Sequence, residues 1–162
     1  IYLGLWIGAM GDVRQDDLGA VLGQLLGVLV EREAPILKAH GLTMWEYVIL
    51  YQLLGEGGLT QKELARRSHR DATRLIGHLD ALSKRRLIAR EVDAADRRRH
   101  TVWLTDEGLD VVRATRRDIR TMEDELLGAL SVDQQNDLRN ALGAVLQRSG
   151  SPRVSPDDAE SN

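Results

Sequence analysis

The sequence predicts a mainly α-helical chain that carries one small β-hairpin. Three observations carry that expectation. Apolar residues recur at Leu18, Val21, Leu22, Leu25, Leu26, Leu29 and Val30, the spacing of one face of an α-helix. Three segments open on a hydroxyl residue followed three positions later by Glu or Gln: Thr43-Met44-Trp45-Glu46, Thr60-Gln61-Lys62-Glu63 and Ser131-Val132-Asp133-Gln134. In each, the hydroxyl can accept a free backbone N–H and the Glu or Gln can reach back, so each reads as a helix start. Finally, the charged run DAADRRRH at 93–100 lies between two short apolar-alternating stretches, 87–92 and 101–104, which read as two strands and their connection.

Taken in order, the first helix should span 12–40, with Pro35 kinking or interrupting its end. Its continuous leucine seam suits burial against a second chain. Helices follow at 43–54, 60–67, 71–85, 105–129 and 131–148; Gly55-Glu56-Gly57-Gly58 separates the first two, and Asp71 is the expected N-cap of the third. The tail SPRVSPDDAESN has Pro, Ser and acids without periodicity and is expected to be disordered. The opening IYLGLWIGA is apolar but lacks the basic residues that precede the apolar part of a signal peptide. Met10-Gly11-Asp12 looks like a natural start, so residues 1–9 are read as an upstream extension, and 1–11 are set apart from the fold as a non-native or disordered segment.

Composition narrows the function. With 162 residues and 43% hydrophobic content the chain can bury one core, and with three Trp, three Tyr and no Phe that core must be mostly aliphatic. The absence of cysteine excludes disulfides, thiolate metal sites, cysteine nucleophiles and thiol redox sensing, and fits a cytoplasmic protein. No apolar run approaches the ~20 residues of a membrane span. The net charge of -3 hides an asymmetry. Residues 60–100 hold 12 Lys and Arg against 6 acids, a surplus of +6, while the remainder holds 10 against 19. A basic middle in an acidic frame suggests a face for a polyanion.

The two short helices 60–67 and 71–85, separated by Ser68-His69-Arg70, have the spacing of a helix-turn-helix. In that motif the N-terminal residues of the second helix meet base edges in the major groove. Leu75, Leu79 and Leu82 share its inward face, which leaves Thr73, Arg74 and Gly77 to face out, with Ala72 and Arg70 at its start. The arginine fork matches guanine O6/N7, and small neighbours allow close approach. A hairpin after such a pair makes a wing, where Arg97, Arg98 and Arg99 would meet phosphate or a narrow minor groove. An acid two positions before an arginine, as Asp96 stands to Arg98, can fix the guanidinium. Thr60 and Gln61 at a helix start could donate to a phosphate or serve only as a cap, and Arg66 and Arg67 could meet phosphate or solvent.

The stretch from Leu59 to Gly108 resembles the MarR family of bacterial transcription regulators. The resemblance rests on Glu63-Leu64-Ala65, on Leu79-Asp80-Ala81-Leu82, and on the basic turn before Leu87-Ile88. It rests most of all on Asp96-Arg97-Arg98 followed by a strand and Leu104-Thr105-Asp106-Glu107-Gly108. It covers 43–110 by motif and nearly the whole chain by helix order. It implies a homodimer built on the N- and C-terminal helices, a pseudo-palindromic double-stranded operator, and an Asp96 that orients Arg98 into the minor groove. It further implies a repressor released by a small aromatic or amphiphilic ligand bound between the dimer helices and the DNA-binding lobe. His40, Met44, Trp45, Tyr47 and Val48 lie near that junction in sequence, where ordinary core packing is the commoner role for such residues. Departures from the family pattern are Gly77 where arginine is frequent, His78 where an apolar residue is usual, and Arg86 where glycine commonly ends the helix.

The expected organisation is therefore an extension at 1–11, a dimerisation helix at 12–42, a winged helix-turn-helix at 43–104, dimerisation helices at 105–149 and a tail at 150–162. No nucleophile–base arrangement or phosphate-binding glycine loop is present, and the four histidines form no ligand pair, so neither an enzyme nor a metal or other cofactor is expected. Two other classes share these features: an architectural DNA-binding protein with little sequence preference, and a winged-helix module that binds protein.

Overall fold

The computed structural model describes residues 17–55, 58–68, 72–92 and 100–148, with Ala72, Thr73 and Val92 as backbone only. Among these the elements are α1 (Leu18–Ala39), α2 (Met44–Gln52), β1 (Leu59–Thr60), α3 (Gln61–Arg67), α4 (Ala72–Lys84), β2 (Ile88–Val92), β3 (His100–Leu104), α5 (Asp106–Leu126) and α6 (Val132–Arg148). The expected mainly helical chain with a β wing is what the fold presents. The strands form one antiparallel sheet in the order β1-β3-β2, with Ile88 opposite Leu104 and Val92 opposite His100. The strand β1, pairing Leu59 with Val102 and Thr60 with Thr101, was not expected from the sequence. Two residues carry no alternation, so no period could mark it.

The helix starts follow their capping chemistry. At α2 the box is complete: Glu46 N–H donates to Thr43 Oγ1 at 3.3 Å, and Thr43 N–H donates to Glu46 Oε2 at 2.8 Å. Before α6, Ser131 and Gln134 make the same reciprocal pair at 2.9 and 3.3 Å. At α3 only half of it forms: Glu63 N–H reaches Thr60 Oγ1 at 3.2 Å, while the Glu63 carboxylate turns to two arginines instead. Pro35 does not interrupt α1, which runs on to Ala39. Pro35 and Glu31, whose carbonyl loses its donor, are both exposed, so water can satisfy that oxygen. Burial of Leu37 and packing of Ile36 hold the last turn.

The core gathers Ile49 and Leu50 of α2, Leu64 of α3, Leu75, Leu79 and Leu82 of α4, Val102 of β3 and Val112 of α5. Each such side chain contributes about 1.5–3 kcal/mol by leaving water. This core holds the helix pair and sheet as one unit. The outer helices share little of it: α1 buries only Leu37, and α6 buries nothing. Leu18 (68% exposed), Leu26 (49%) and Val132 (73%) stand in solvent within one chain.

One junction joins the helix pair and sheet to the long helix α5. Helix α4 ends with Arg86 N–H donating to the Ser83 carbonyl (2.9 Å) and Leu87 N–H to the Leu82 carbonyl (3.0 Å), which requires a left-handed residue at position 86. Arg86 takes it at φ 58°, as the sequence demanded of a residue standing where glycine is usual; Gly41 fills the same role after α1 at φ 66°. The Arg86 carbonyl then accepts the Thr105 hydroxyl (2.6 Å), and the Leu87 carbonyl accepts the Thr105 N–H (3.2 Å). Thr105 Oγ1 also caps α5 by accepting Gly108 N–H at 3.0 Å. A Cβ on Gly108 would lie 1.8 Å from the Leu87 carbonyl oxygen, so backbone meets backbone there and no side chain can yield.

Gly108→Ala is expected to destabilise the fold by at least about 3 kcal/mol, the upper end of overpacking penalties, measured by urea unfolding. Arg86→Gly should instead leave stability unchanged or raise it by up to about 1 kcal/mol, because a left-handed residue loses its Cβ clash while the unfolded chain gains entropy. A melt lowered by this change would contradict the strained-cap account.

Candidate nucleic-acid interface

The candidate reading helix α4 is amphipathic by construction. Leu75, Leu79 and Leu82 are buried, and Arg74, Gly77, Asp80, Ala81 and Lys84 are exposed on the other side. Gly77 is not demanded by packing, since a Cβ there would meet nothing within 4 Å. Its effect is to keep the outer surface low. The sequence reading missed Ile76, which is 48% exposed on the flank of this helix. The other exposed large hydrophobics among the described residues lie on α1 and α6. His78 is half-buried.

Asp80 of α4 accepts from Arg90 Nη1 of β2 at 2.8 Å, which ties the helix to the base of the hairpin. Nε and Nη2 of that same guanidinium are buried without a hydrogen-bond partner, so the arginine is held by one acid and by packing. The turn out of α3 is closed by buried Ser68, whose hydroxyl donates to the Leu64 carbonyl at 2.6 Å. Thr60 spends its hydroxyl oxygen on the α3 cap, and Gln61 is half-buried at the first position of that helix. Glu63 accepts from Arg66 Nε (2.9 Å), Arg66 Nη2 (2.6 Å) and Arg67 Nε (2.8 Å). The hydrogen bonds from Arg66 and then Arg67 pull its carboxyl down to about 2, and Glu63 in turn pushes the Arg66 guanidinium up. Arg85 lies 3.5 Å from buried Glu46. Lys62, Arg74, Lys84 and Arg86 form no ion pair among the described residues. The expected contacts Arg70, Asp96, Arg97, Arg98 and Arg99 lie outside the described residues, as do the side chains of Ala72 and Thr73.

A second cluster lies where α2 meets α1 and α5. Met44, Tyr47, Val48 and Tyr51 share the face of α2 opposite buried Ile49, Leu50 and Leu53, with Trp45 at its edge; all five are half-buried. The Tyr47 and Tyr51 rings stand 5.9 Å apart, and the Arg116 guanidinium of α5 lies 5.8 Å from the Tyr51 centroid. Burial, then Tyr51 and Glu33, pushes the Tyr47 hydroxyl up to about 12. Burial also raises the carboxyls of Glu33 on α1 and Glu123 on α5, and Glu123 adds to the rise at Glu33. His40, at the end of α1, meets Asp118 of α5 at 2.7 Å. The structure thus places the sequence-predicted Met44, Tyr47 and Val48 on one face with Trp45 at its edge, while His40 is joined to α5 through Asp118. It adds Glu33, Tyr51, Arg116 and Glu123, which the sequence reading missed. Glu33 had a visible signal: it interrupts the apolar stripe between Leu29 and Leu37.

Known proteins share this architecture. The family model described as MarR family matches residues 40–99. The transcriptional regulator HosA of Escherichia coli O127:H6 is 34% identical over 94 residues, covering 58% of this chain and 70% of that protein. The chain belongs to the MarR family. Among solved structures, the repressor CouR bound to a 23-mer DNA duplex superposes with TM-score 0.74 at 27% identity, over 85% of this chain and 97% of that one. The PcaV regulator of Streptomyces coelicolor, solved with its natural ligand, superposes with TM-score 0.63 at 25% identity, over 88% and 99%. This MarR-family chain is a DNA-binding transcription regulator. No helix among its described residues is long and apolar enough to cross a membrane.

Because burial lifts the folded-state pKa of Glu33 above its ordinary 4.5, the folded protein binds that proton more tightly than the unfolded chain. Its contribution to stability is therefore fully present below 4.5 and is lost as pH rises through the raised value. Glu33→Gln should raise the urea midpoint at neutral pH and lose that advantage in acid. An equal shift at both pH values would separate Glu33 from the titration.

Proposed function

We propose that the protein is a homodimeric, cytoplasmic repressor that reads a pseudo-palindromic operator and is released by a small aromatic or amphiphilic ligand. The observation that carries the reading is α4. One face is locked by three buried leucines, and the opposite face presents Arg74 and a bare Gly77. Thr73 and Arg74 read base edges, Ala72 and Gly77 permit close approach, and exposed Ile76 suits the methyl group of thymine. Arg70, Thr60 and Gln61 meet phosphate. Asp96 orients Arg98 into the minor groove, and Arg97 and Arg99 meet the flanking backbone. The CouR complex with a 23-mer duplex supports DNA binding by this fold.

The uncovered apolar residues of α1 and α6 support the dimer, since a second copy would take them out of water. Domain roles follow: 12–42 and 105–149 pair the chains, and 43–104 binds DNA. Two-fold symmetry sets the half-sites about 10 base pairs apart. The half-buried α2 face with Met44, Tyr47 and Val48, together with Trp45 and with His40 at the end of α1, is the proposed effector surface, and the PcaV structure, solved with its natural ligand, supports a small-molecule effector. A ligand there acts only by binding the DNA-incompetent lobe spacing more tightly than the competent one.

Gel shifts on an operator selected from random duplexes, run across salt, test the reading. Sequence-selective binding is expected; uniform weak binding would mark an architectural protein, and none at all an interaction module. Arg98→Ala should weaken operator binding by about 1–3 kcal/mol with dimerisation and melting unchanged. Unaltered affinity at fixed salt would remove Arg98 from the groove.

A further inference from the structure

We infer that Glu63 limits how many arginines this face offers to phosphate: its carboxylate occupies Arg66 and Arg67 in the free protein and so holds down binding to non-operator DNA. The inference rests on the DNA-facing reading of α3 and α4 given above.

Two glutamates occupy equivalent positions after a hydroxyl cap and behave differently. Glu46 reaches back to Thr43 N–H at 2.8 Å and completes its box. Glu63 leaves the reciprocal bond unmade and directs both oxygens forward, one to Arg66 Nε at 2.9 Å and the other to Arg66 Nη2 at 2.6 Å and Arg67 Nε at 2.8 Å. The clasp stabilises the fold little, because Arg66 is 58% exposed and exposed pairs contribute weakly. The hydrogen bonds from Arg66 and Arg67 hold the Glu63 carboxyl down to about 2, so it stays ionised near neutral pH and available to both arginines.

Position gives the clasp its consequence. Arg66 and Arg67 end α3, and residues 68–71 alone separate them from the start of the reading helix α4. A phosphate at the edge of the major groove would compete for the Nε edge of each guanidinium, which the Glu63 carboxylate already engages. To use those edges it must displace an anion. An operator has base contacts to draw on, whereas random DNA is held by phosphate contacts almost entirely. The clasp therefore weighs on phosphate contacts, which are nearly all that random DNA has to hold it.

Glu63→Gln tests this. It keeps the side-chain size and the backbone N–H that donates to Thr60, and removes the charge that holds the arginines. Affinity for a random duplex at low salt should rise about tenfold, with a steeper plot of log affinity against log salt, by up to about two phosphate contacts at ~0.9 each. In an Arg66→Ala, Arg67→Ala background the same substitution should change neither quantity. Random-duplex affinity that stays level or drops would overturn the inference, as would a gain that survives in the double-alanine background, since that would be a general charge effect. Loss of the folded state in Glu63→Gln would also overturn it, by making the clasp a structural element. A wild-type protein that binds no duplex would instead sink the DNA-facing reading, and this inference with it.

Discussion

The carbonyl of Leu87 accepts the N–H of Thr105 and lies against the bare Cα of Gly108, and the architecture turns on that contact. It is where the end of α4, the start of β2, the end of β3 and the start of α5 come together. Each partner is backbone or a short hydroxyl, so the joint has little slack. Further along, α5 contributes Ile119 and Met122 to the core and Arg116 to the tyrosine face of α2. A displacement of α5 must therefore carry the reading helix with it or break the joint. That gives the regulator a continuous mechanical path from the proposed effector face to the DNA face.

Charge in the DNA-binding unit is less available than a count suggests. Arg66 and Arg67 are held by Glu63, Arg85 by Glu46 and Arg90 by Asp80. These pairs serve different ends. The Arg90 pair braces the hairpin against the helix, and Glu46 combines a helix cap with a contact to Arg85. The surplus of basic residues in this segment is thus partly structural, and the cations presented outward, such as Arg74 and Lys84, are a subset.

Much of this was legible in the sequence because it is local. Helix positions follow from a period that any window reveals, and the inward face Leu75, Leu79 and Leu82 follows from the same period. Arg86 could be placed in a strained cap because the turn geometry requires a left-handed residue whatever the tertiary context. What was not legible depends on neighbours distant in the chain. Strand β1 exists because β3 offers it an edge. Glu63 and Glu46 sit in the same pattern, yet diverge because arginines follow one and not the other within a turn. The Arg116 and Glu123 side chains meet α2 and α1 only after the helices pack, and no spacing in the α5 sequence names those partners. Gly108 was recognisable as part of a motif, but its physical reason, a carbonyl 1.8 Å from where a Cβ would be, belongs to the packed chain.

Helix α6 has no buried residue, and its ties to the other described residues include Gln135, whose amide reaches the Leu127 and Leu130 carbonyls at 3.2 Å, and Arg139, 3.0 Å from Asp124. Seventeen residues held so lightly have little reason to stay helical alone. In a dimer built on that face, the order of this segment becomes a function of protein concentration. At low abundance the regulator would lose its far end before it lost its DNA-binding core. Its cellular dose would then set its shape as well as its occupancy.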